Sequence, residues 1–235
     1  MLAIAASLRE AGDATAARRW YAKAEATGDA AAAPEAMVAL GHLETQQGNK
    51  KQARQWWEQA IGTNHPDAAP RAMVNLAAVE QERGNEEDAR RWWEQAAKTG
   101  HPEAAPRALA NLGVLERNLG HYKDARRWLV EAIGTEHPDA APRAMVNLAA
   151  VEQELGNQED ARRWWEQADS TGHPDAVPEA MFSLGRLEED HGKVLEACRR
   201  FAEAADTGRR DRASRLGADG GVFPRPPRGA ARERG

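Results

Sequence analysis

The side chains of this 235-residue chain that most often bind metals or act as nucleophiles and bases at neutral pH are seven histidines and a single cysteine. Four histidines stand in His-Pro dipeptides 36 residues apart, and no His-x3-His or Cys–His pair has the spacing of a metal site. Cys198 is followed by two arginines, as activated thiols often are, but no histidine adjoins it in sequence to serve as a base. An active site requires a unique set of residues, whereas nearly every polar residue here has copies 36 residues away. The sequence therefore predicts no catalysis, no cofactor and no bound metal.

A second group of polar residues recurs at matching places and has the chemistry of binding. Asparagine side chains both donate and accept hydrogen bonds, and arginine pairs with carboxylates. The candidate binding residues are three Asn, the Arg four positions before each, and the polar residues six positions after each: Asn75, Asn111, Asn147, Arg71, Arg107, Arg143, Gln81, Arg117 and Gln153.

These residues belong to a repeat of 36 residues, which predicts a solenoid or array. In residues 69–104, Pro70 suits the first turn of a helix, and an apolar stripe with helical spacing follows it. Gly84 suits a helix end, and Asn85 is expected to cap the next helix. That second helix has its own apolar stripe, which includes Trp92 and Trp93. Each repeat is therefore predicted to be a helix, a tight turn and a second helix that pack against neighbouring repeats.

Two aromatic columns run through the second helices. The outer aromatic column is Trp20, Trp56, Trp92, Trp128 and Trp164, and the inner aromatic column is Tyr21, Trp57, Trp93, Leu129, Trp165 and Phe201. An aromatic platform for a ligand is one interpretation of these columns. Their spacing from the flanking alanines favours the other, in which they pack in the core.

The repeats resemble the tetratricopeptide family, whose pattern places Leu-Gly in the first helix and Ala-x3-aromatic in the second. This chain has Leu40-Gly41 and then Ala53-x3-Trp57, with similar sets at residues 112–132 and 184–204. The period is longer than the family's, and glutamate replaces the aromatic residue of the first helix at positions 44, 80, 116, 152 and 188. The phrases Trp-Trp-Glu-Gln-Ala and Gly-His-Pro-Glu-Ala also resemble Sel1-like repeats, which usually have a longer turn between their two helices.

The predicted fold is all-α: a right-handed superhelical solenoid of about six repeats, built from eleven or twelve short helices. The predicted repeats are residues 1–32, 33–68, 69–104, 105–140, 141–176 and 177–208. An Arg-, Pro- and Gly-rich tail at 209–235, with few large apolar residues, is expected to be disordered. The tail has a net charge of +5. Because the whole chain has a net charge of −5, residues 1–208 carry a net charge of −10.

The resemblance implies a scaffold that binds an extended peptide or a helical segment of a partner protein. In the family the first helices line a concave groove, which would bring the nine candidate residues onto one surface and would let arginine favour an acidic partner. A self-associating module, with an N-terminal repeat that lacks a polar cap, and a fragment of a larger repeat protein are the alternatives. RNA binding is a third, which the negative repeat region opposes. One cysteine and no apolar run of about 20 residues lead us to expect a cytoplasmic protein without a membrane span.

Overall fold

The structure is a computed structural model that describes residues 1–218, with side chains for residues 1–207. The described part of the chain has twelve helices and no strand, which confirms the all-α helical repeat. The helices are α1 (Leu2–Glu10), α2 (Ala14–Glu25), α3 (Ala32–Gln46), α4 (Lys50–Gly62), α5 (Ala68–Glu82), α6 (Glu86–Lys98), α7 (Ala104–Asn118), α8 (Tyr122–Gly134), α9 (Ala140–Glu154), α10 (Gln158–Ser170), α11 (Ala176–Asp190) and α12 (Val194–Ala218).

The chain divides into two compact units, of which the first is Met1–Trp164 and the second begins at Trp165. In the first unit each helix from α1 to α8 packs against the next one along the chain, and in the second α11 packs against α12. Helix α12 continues to Ala218, through residues 209–218 of the predicted tail. The rest of the predicted tail, residues 219–235, lies outside the described residues.

The turn within a repeat is closed by a glycine and the residue that follows it. Gly84 has a φ of +80°, which a residue with a Cβ rarely adopts, and the next amide, that of Asn85, donates to the carbonyl oxygen of Glu80 at 2.9 Å. Asn85 occupies the N-cap position of α6, but its side chain makes no capping hydrogen bond. The predicted side-chain cap is therefore wrong, because Nδ2 of Asn85 instead donates to Oε2 of Glu80 at 2.5 Å.

Histidines of the connectors cap the first helices. Nδ1 of His65 accepts hydrogen bonds from the backbone amides of Asp67 and Ala68, at 3.3 and 3.2 Å. The same pair of bonds recurs at His101, His137 and His173. In the first connector Asp29 takes this place, with Oδ1 accepting from the amides of Ala31 and Ala32. The histidines thus act as caps of the kind that aspartate more often supplies.

The inner aromatic column lies in the core as far as Trp165, as the spacing predicts, whereas Phe201 at its end is half-buried. Trp57, Trp93 and Leu129 are at most 2% exposed and pack between the two helices of their own repeat and the first helix of the next. The outer column is half-buried. Trp92 packs against the core clusters of two successive repeats, as does Trp128. Both columns therefore join repeats to one another.

Glycine and alanine alternate at the first-helix position that faces the inner column. A Cβ placed on Gly41 would lie 2.2 Å from Nε1 of Trp57, so this glycine lets the indole approach the backbone of α3. The Trp57 indole then donates from Nε1 to the carbonyl oxygen of Val38 at 3.3 Å. In the next repeat Ala77 replaces the glycine, and Nε1 of Trp93 is buried with no acceptor among the described residues.

The glutamates that replace the family's aromatic residue are buried. Glu44, Glu80, Glu116, Glu152 and Glu188 are all at most 4% exposed. A buried carboxylate is costly unless it is paired, and four of these make an inter-repeat ion pair with an arginine on the preceding second helix. The pairs are Arg18–Glu44, Arg54–Glu80 (3.1 Å), Arg90–Glu116 (2.6 Å) and Arg126–Glu152 (2.8 Å).

The same carboxylates also close the turn that follows them. Oε2 of Glu44, Glu80 and Glu152 accepts a hydrogen bond from the side chain of the asparagine five residues later. Each glutamate thus connects its first helix to the preceding repeat on one side and to its own second helix on the other. This arrangement fixes the orientation of the first helices, which carry the candidate site.

Candidate functional site

The first helices of successive repeats lie side by side in the first compact unit. Helix α3 contacts α5, α5 contacts α7 and α7 contacts α9. The backbones of the second helices α2, α4, α6 and α8 do not contact one another in this unit. The first helices therefore form one continuous surface, which we call the first-helix face. All nine binding residues predicted from the sequence lie on α5, α7 or α9, or at the C-terminal ends of these helices.

A groove of about 520 Å³ crosses the first-helix face at α3, α5 and α7. Its walls combine two apolar side chains, one from α5 and one from the start of α7, with polar side chains from the three helices and with residues of the two connectors between them. The lining residues are Glu35, His42, Asp67, Arg71, Val74, Asn75, His101, Glu103, Ala104 and Arg107.

Three of the predicted residues line this groove: Asn75, Arg71 and Arg107. Asn75 is half-buried, and its Nδ2 donates to Nε2 of His42 at 3.2 Å. Among the described residues no donor forms a hydrogen bond to its Oδ1, so the side chain keeps an acceptor for a ligand. The bond to His42 fixes the direction in which that acceptor points.

The two groove arginines differ in their partners. Arg71 donates from Nη1 to Oε2 of Glu35 at 2.8 Å, so a carboxylate from the preceding repeat offsets its charge. Arg107 is exposed and makes no ion pair with any described residue. The groove therefore has one arginine that is compensated and one that is available to an anionic group.

The electrostatic character of the groove is reflected in His42. Burial lowers the pKa of His42 below its ordinary value, and the positive charges of Arg71, Arg9 and Arg107 lower it further. A neutral imidazole is also the form that accepts a hydrogen bond from Asn75 at Nε2. The positive charge around His42 favours a ligand that brings negative charge into this part of the groove.

The other predicted residues lie elsewhere on the same face and outside this groove. Oδ1 of Asn147 accepts from Nη1 of Arg117 at 2.8 Å, and its Nδ2 donates to the carbonyl oxygen of Arg143. Asn111 and Gln81 are half-buried, and Gln153 is exposed. The asparagines are thus not three equivalent free amides, because Asn75 and Asn147 have different partners.

Several groove residues were not among the predicted ones. His42 has no histidine counterpart one repeat away, and Glu35 stands where Arg71, Arg107 and Arg143 stand in later repeats. These departures from the repeat were the signal available in the sequence. The connector histidines, by contrast, repeat regularly because their Nδ1 atoms cap helices. The other ring nitrogen of His101, Nε2, lies 3.4 Å from Oδ1 of Asp67.

Residues 1–207 contain no group of three or more His, Cys, Asp or Glu side chains that could hold a metal ion. None of the helices within those residues combines the length and the apolar character needed to cross a membrane. Cys198 is exposed on α12.

Comparison with solved structures places the chain among helical repeat proteins. BtubC (BKLC) from P. vanneervenii superposes with a TM-score of 0.67 at 18% identity, over 97% of this chain and 97% of that one. PilF of Pseudomonas aeruginosa gives 0.62 at 20% identity, over 78% of this chain and 91% of that one. MamA gives 0.58 at 17% identity, over 72% and 94%. At these identities the likeness concerns the fold.

Family models identify the repeats themselves. One tetratricopeptide repeat model matches residues 34–59, 70–95 and 142–167, and a second matches residues 107–135. Each match begins within a first helix and ends in or just after the second helix of the same pair. No curated protein sequence matches the chain. The tetratricopeptide repeat models thus match one segment in each of the helix pairs α3–α4, α5–α6, α7–α8 and α9–α10.

Proposed function

We propose that the protein is a scaffold whose first-helix face binds an extended peptide or a helical segment of a partner protein. The observation that supports this most directly is the groove over α3, α5 and α7, where Asn75 and Arg107 offer hydrogen bonds beside the apolar Val74. An extended peptide has unpaired backbone donors and acceptors, which an amide side chain can satisfy. Because the first helices lie side by side, a ligand longer than the groove would continue along the same face toward α9.

The chemistry of the groove favours an acidic partner. Arg107 lacks a carboxylate partner among the described residues, and three arginines act together on His42. RNA is also negatively charged, but it carries a phosphate on every nucleotide, and the charge of −10 on residues 1–208 repels such a polyanion more strongly than a peptide with a few acidic side chains in the groove. We further propose that the protein works in the cytoplasm, where a single cysteine stays reduced. We also propose that the repeats are related to Sel1-like repeats, because they share the phrase Trp-Trp-Glu-Gln-Ala.

The test is a selection of peptides from a library displayed on phage, with the full chain immobilised. Selected peptides should be enriched in Asp and Glu, and calorimetric titration should show that binding weakens when Asn75, Asn111 and Asn147 are all changed to Ala. Each lost hydrogen bond should cost about 0.5–1.5 kcal/mol of binding free energy. Arg91→Ala is the matched control, because Arg91 is 59% exposed on a second helix and pairs with Asp88. Equal binding by the triple variant, with loss in Arg91→Ala, would move the site to the second helices.

Self-association is the second candidate function, and a specific observation favours it. Ile4 on α1 is 48% exposed, whereas its counterpart Leu40 on α3 is 1% exposed. An apolar surface that is covered between repeats is thus open at α1. A protein that presents such a surface can bind a matching repeat of a second copy.

A further inference from the structure

The exposed surface of α1 is the one through which later repeats contact the repeat before them. At the position of Ile4, the five later repeats have leucine, and each of those leucines is at most 1% exposed, compared with 48% for Ile4. Leu40 lies in a cluster with Ala17, Tyr21 and Ala24 of the preceding second helix, which explains its burial. Ile4 therefore has the residue type of an inter-repeat contact without the contact. The counterparts are Leu40, Leu76, Leu112, Leu148 and Leu184.

A complementary surface is open in the second compact unit. Phe182 on α11 is 53% exposed, whereas the residues at its position in the four preceding repeats are at most 9% exposed. Those residues are covered by the first helix of the following repeat: Val38 shares a core cluster with Leu76, and Val74 with Leu112. Within the described part of the chain Phe182 thus contacts Phe201 of its own repeat but has no following first helix to cover it. The counterparts are Val38, Val74, Ala110 and Val146.

The polar part of the repeat interface changes at the same two places. The buried glutamate occurs in the first helix of each of the five later repeats. The first helix of the first repeat, α1, has Leu8 at that position. An arginine stands 26 positions before each of these glutamates, at Arg18, Arg54, Arg90, Arg126 and Arg162, and α12 has Cys198 at that position of the repeat. Leu8 is half-buried and Cys198 is exposed. Both members of the inter-repeat ion pair are therefore replaced by uncharged residues, one on each open surface.

The repeat register brings these residues together between two copies. An arginine pairs with the glutamate 26 positions later, and residues such as Val38 and Leu76 are 38 positions apart. Continued into a second copy after six repeats of 36 residues, the first spacing joins Cys198 to Leu8, and the second joins Phe182 to Ile4. In both pairs an uncharged residue of one copy thus faces an uncharged residue of the next copy.

We propose that this protein associates head to tail with a second copy of itself, α11 and α12 of one copy packing against α1 of the next as successive repeats do. The inference deepens the second candidate function and is independent of peptide binding. The contact is heterologous, because different surfaces meet, so each added copy presents the same open surface again and rings or longer chains result. The Leu8–Cys198 junction replaces a buried ion pair, and such a replacement by apolar residues is often neutral or favourable.

Sedimentation velocity of the full chain, with a reducing agent to exclude disulfides, tests the proposal. The average mass should rise with protein concentration. Cys198→Arg should weaken association about tenfold or more, because the guanidinium would face Leu8 with no carboxylate to pair with. Leu8→Glu should weaken it similarly. The double variant, which recreates the ion pair of the other repeats, should recover association to within roughly threefold of the parent chain. A mixture of the two single variants should recover it too.

Leu195→Glu is the matched control, since Leu195 is 89% exposed on α12 and its counterparts in four of the five other repeats are charged residues such as Glu159. It should leave association unchanged, as should Asn75→Ala, which affects the groove. Circular dichroism checks that each variant is folded. A parent chain that stays monomeric, a control that weakens association equally, or a double variant without recovery would each overturn the proposal. None of these results depends on whether the groove binds a peptide.

Discussion

Nε of Arg90, on α6, donates a hydrogen bond of 2.6 Å to Oε1 of Glu116, on α7, and so joins two successive repeats. Oε2 of the same carboxylate lies 2.8 Å from Nδ1 of His121, in the turn that follows α7. Burial alone raises the pKa of Glu116, but the hydrogen bonds from Arg90 and His121 outweigh it, and the net effect lowers the pKa. The carboxylate is therefore held in its charged form inside the interface between repeats.

Removal of one member of this pair should be costly. Arg90→Ala leaves Glu116 buried with one hydrogen bond fewer, so the free energy of unfolding should fall by about 1.5–3 kcal/mol. The measurement is chemical denaturation followed by circular dichroism. The neighbouring Arg91→Ala removes a solvent-exposed pair and should change the value by less than about 0.5 kcal/mol. Equal effects of the two changes would show that the inter-repeat ion pair contributes no more than a surface contact.

A double change separates charge pairing from packing. In Arg90→Leu/Glu116→Leu no charge is left buried, so most of the stability lost in Arg90→Ala should return. The same denaturation measurement applies. If the double variant is as unstable as the single one, the hydrogen bonds that Glu116 makes to its own turn, and not the unpaired charge, account for the loss.

The close approach of Trp57 to Gly41 gives a prediction opposite to that from helix propensity. Alanine favours a helix over glycine by about 1 kcal/mol, yet Gly41→Ala should lower the free energy of unfolding by about 1–3 kcal/mol. The new Cβ would require the Trp57 indole to move away and to lose its bond to the carbonyl of Val38. Thermal unfolding measures the change. Ala77→Gly, the converse substitution beside Trp93, is the control and should be destabilising by propensity alone.

The periodic part of the fold could be predicted from the sequence, because a helix-turn-helix repeat is encoded by apolar spacing and glycine position. The pairs α5–α6 and α7–α8 show this, since Pro70 and Gly84 mark the start and end of α5 closely. The burial of Glu116 was not predicted, although an arginine 26 residues earlier recurs with it. Its environment depends on how one repeat lies on the next, and local propensity does not contain that information. The same reason explains His42: its contact with Asn75 joins two repeats.

The connector histidines should behave as helix caps. His65→Ala removes the acceptor for the first amides of α5 and should lower the free energy of unfolding by about 1 kcal/mol. His65→Asp should retain most of the stability, because Asp29 caps α3 in this way in the first connector. Chemical denaturation of the two variants provides the comparison. A loss of equal size in both would mean that the imidazole stabilises the connector through packing instead.

The lowered pKa of His42 predicts a dependence of stability on pH. The unfolded chain takes up a proton at the ordinary histidine value of about 6.5, whereas the folded chain takes it up at lower pH. Below about pH 6.5 the unfolded state therefore binds more protons, so this contribution to stability is complete above that pH and falls as the pH decreases. The loss in unfolding free energy between pH 7 and pH 5 should be smaller in His42→Gln than in the parent. An identical loss in both would place the pH dependence at other groups.

The ion pair between Glu35 and Arg71 should limit the affinity of the groove for acidic peptides. Glu35→Gln removes the carboxylate 2.8 Å from Arg71 and frees the guanidinium, so an acidic peptide from the phage selection should bind more tightly, by about 0.2–1 kcal/mol. Arg107→Ala should weaken binding of the same peptide by a similar amount. Arg107 does not have to give up an ion pair within the protein when it pairs with the peptide. Added salt should reduce both differences, since the groove is open to solvent. Calorimetric titration at two salt concentrations measures them. If Glu35→Gln binds no better than the parent while Arg107→Ala binds worse, the peptide contacts the α7 side of the groove and does not reach Arg71.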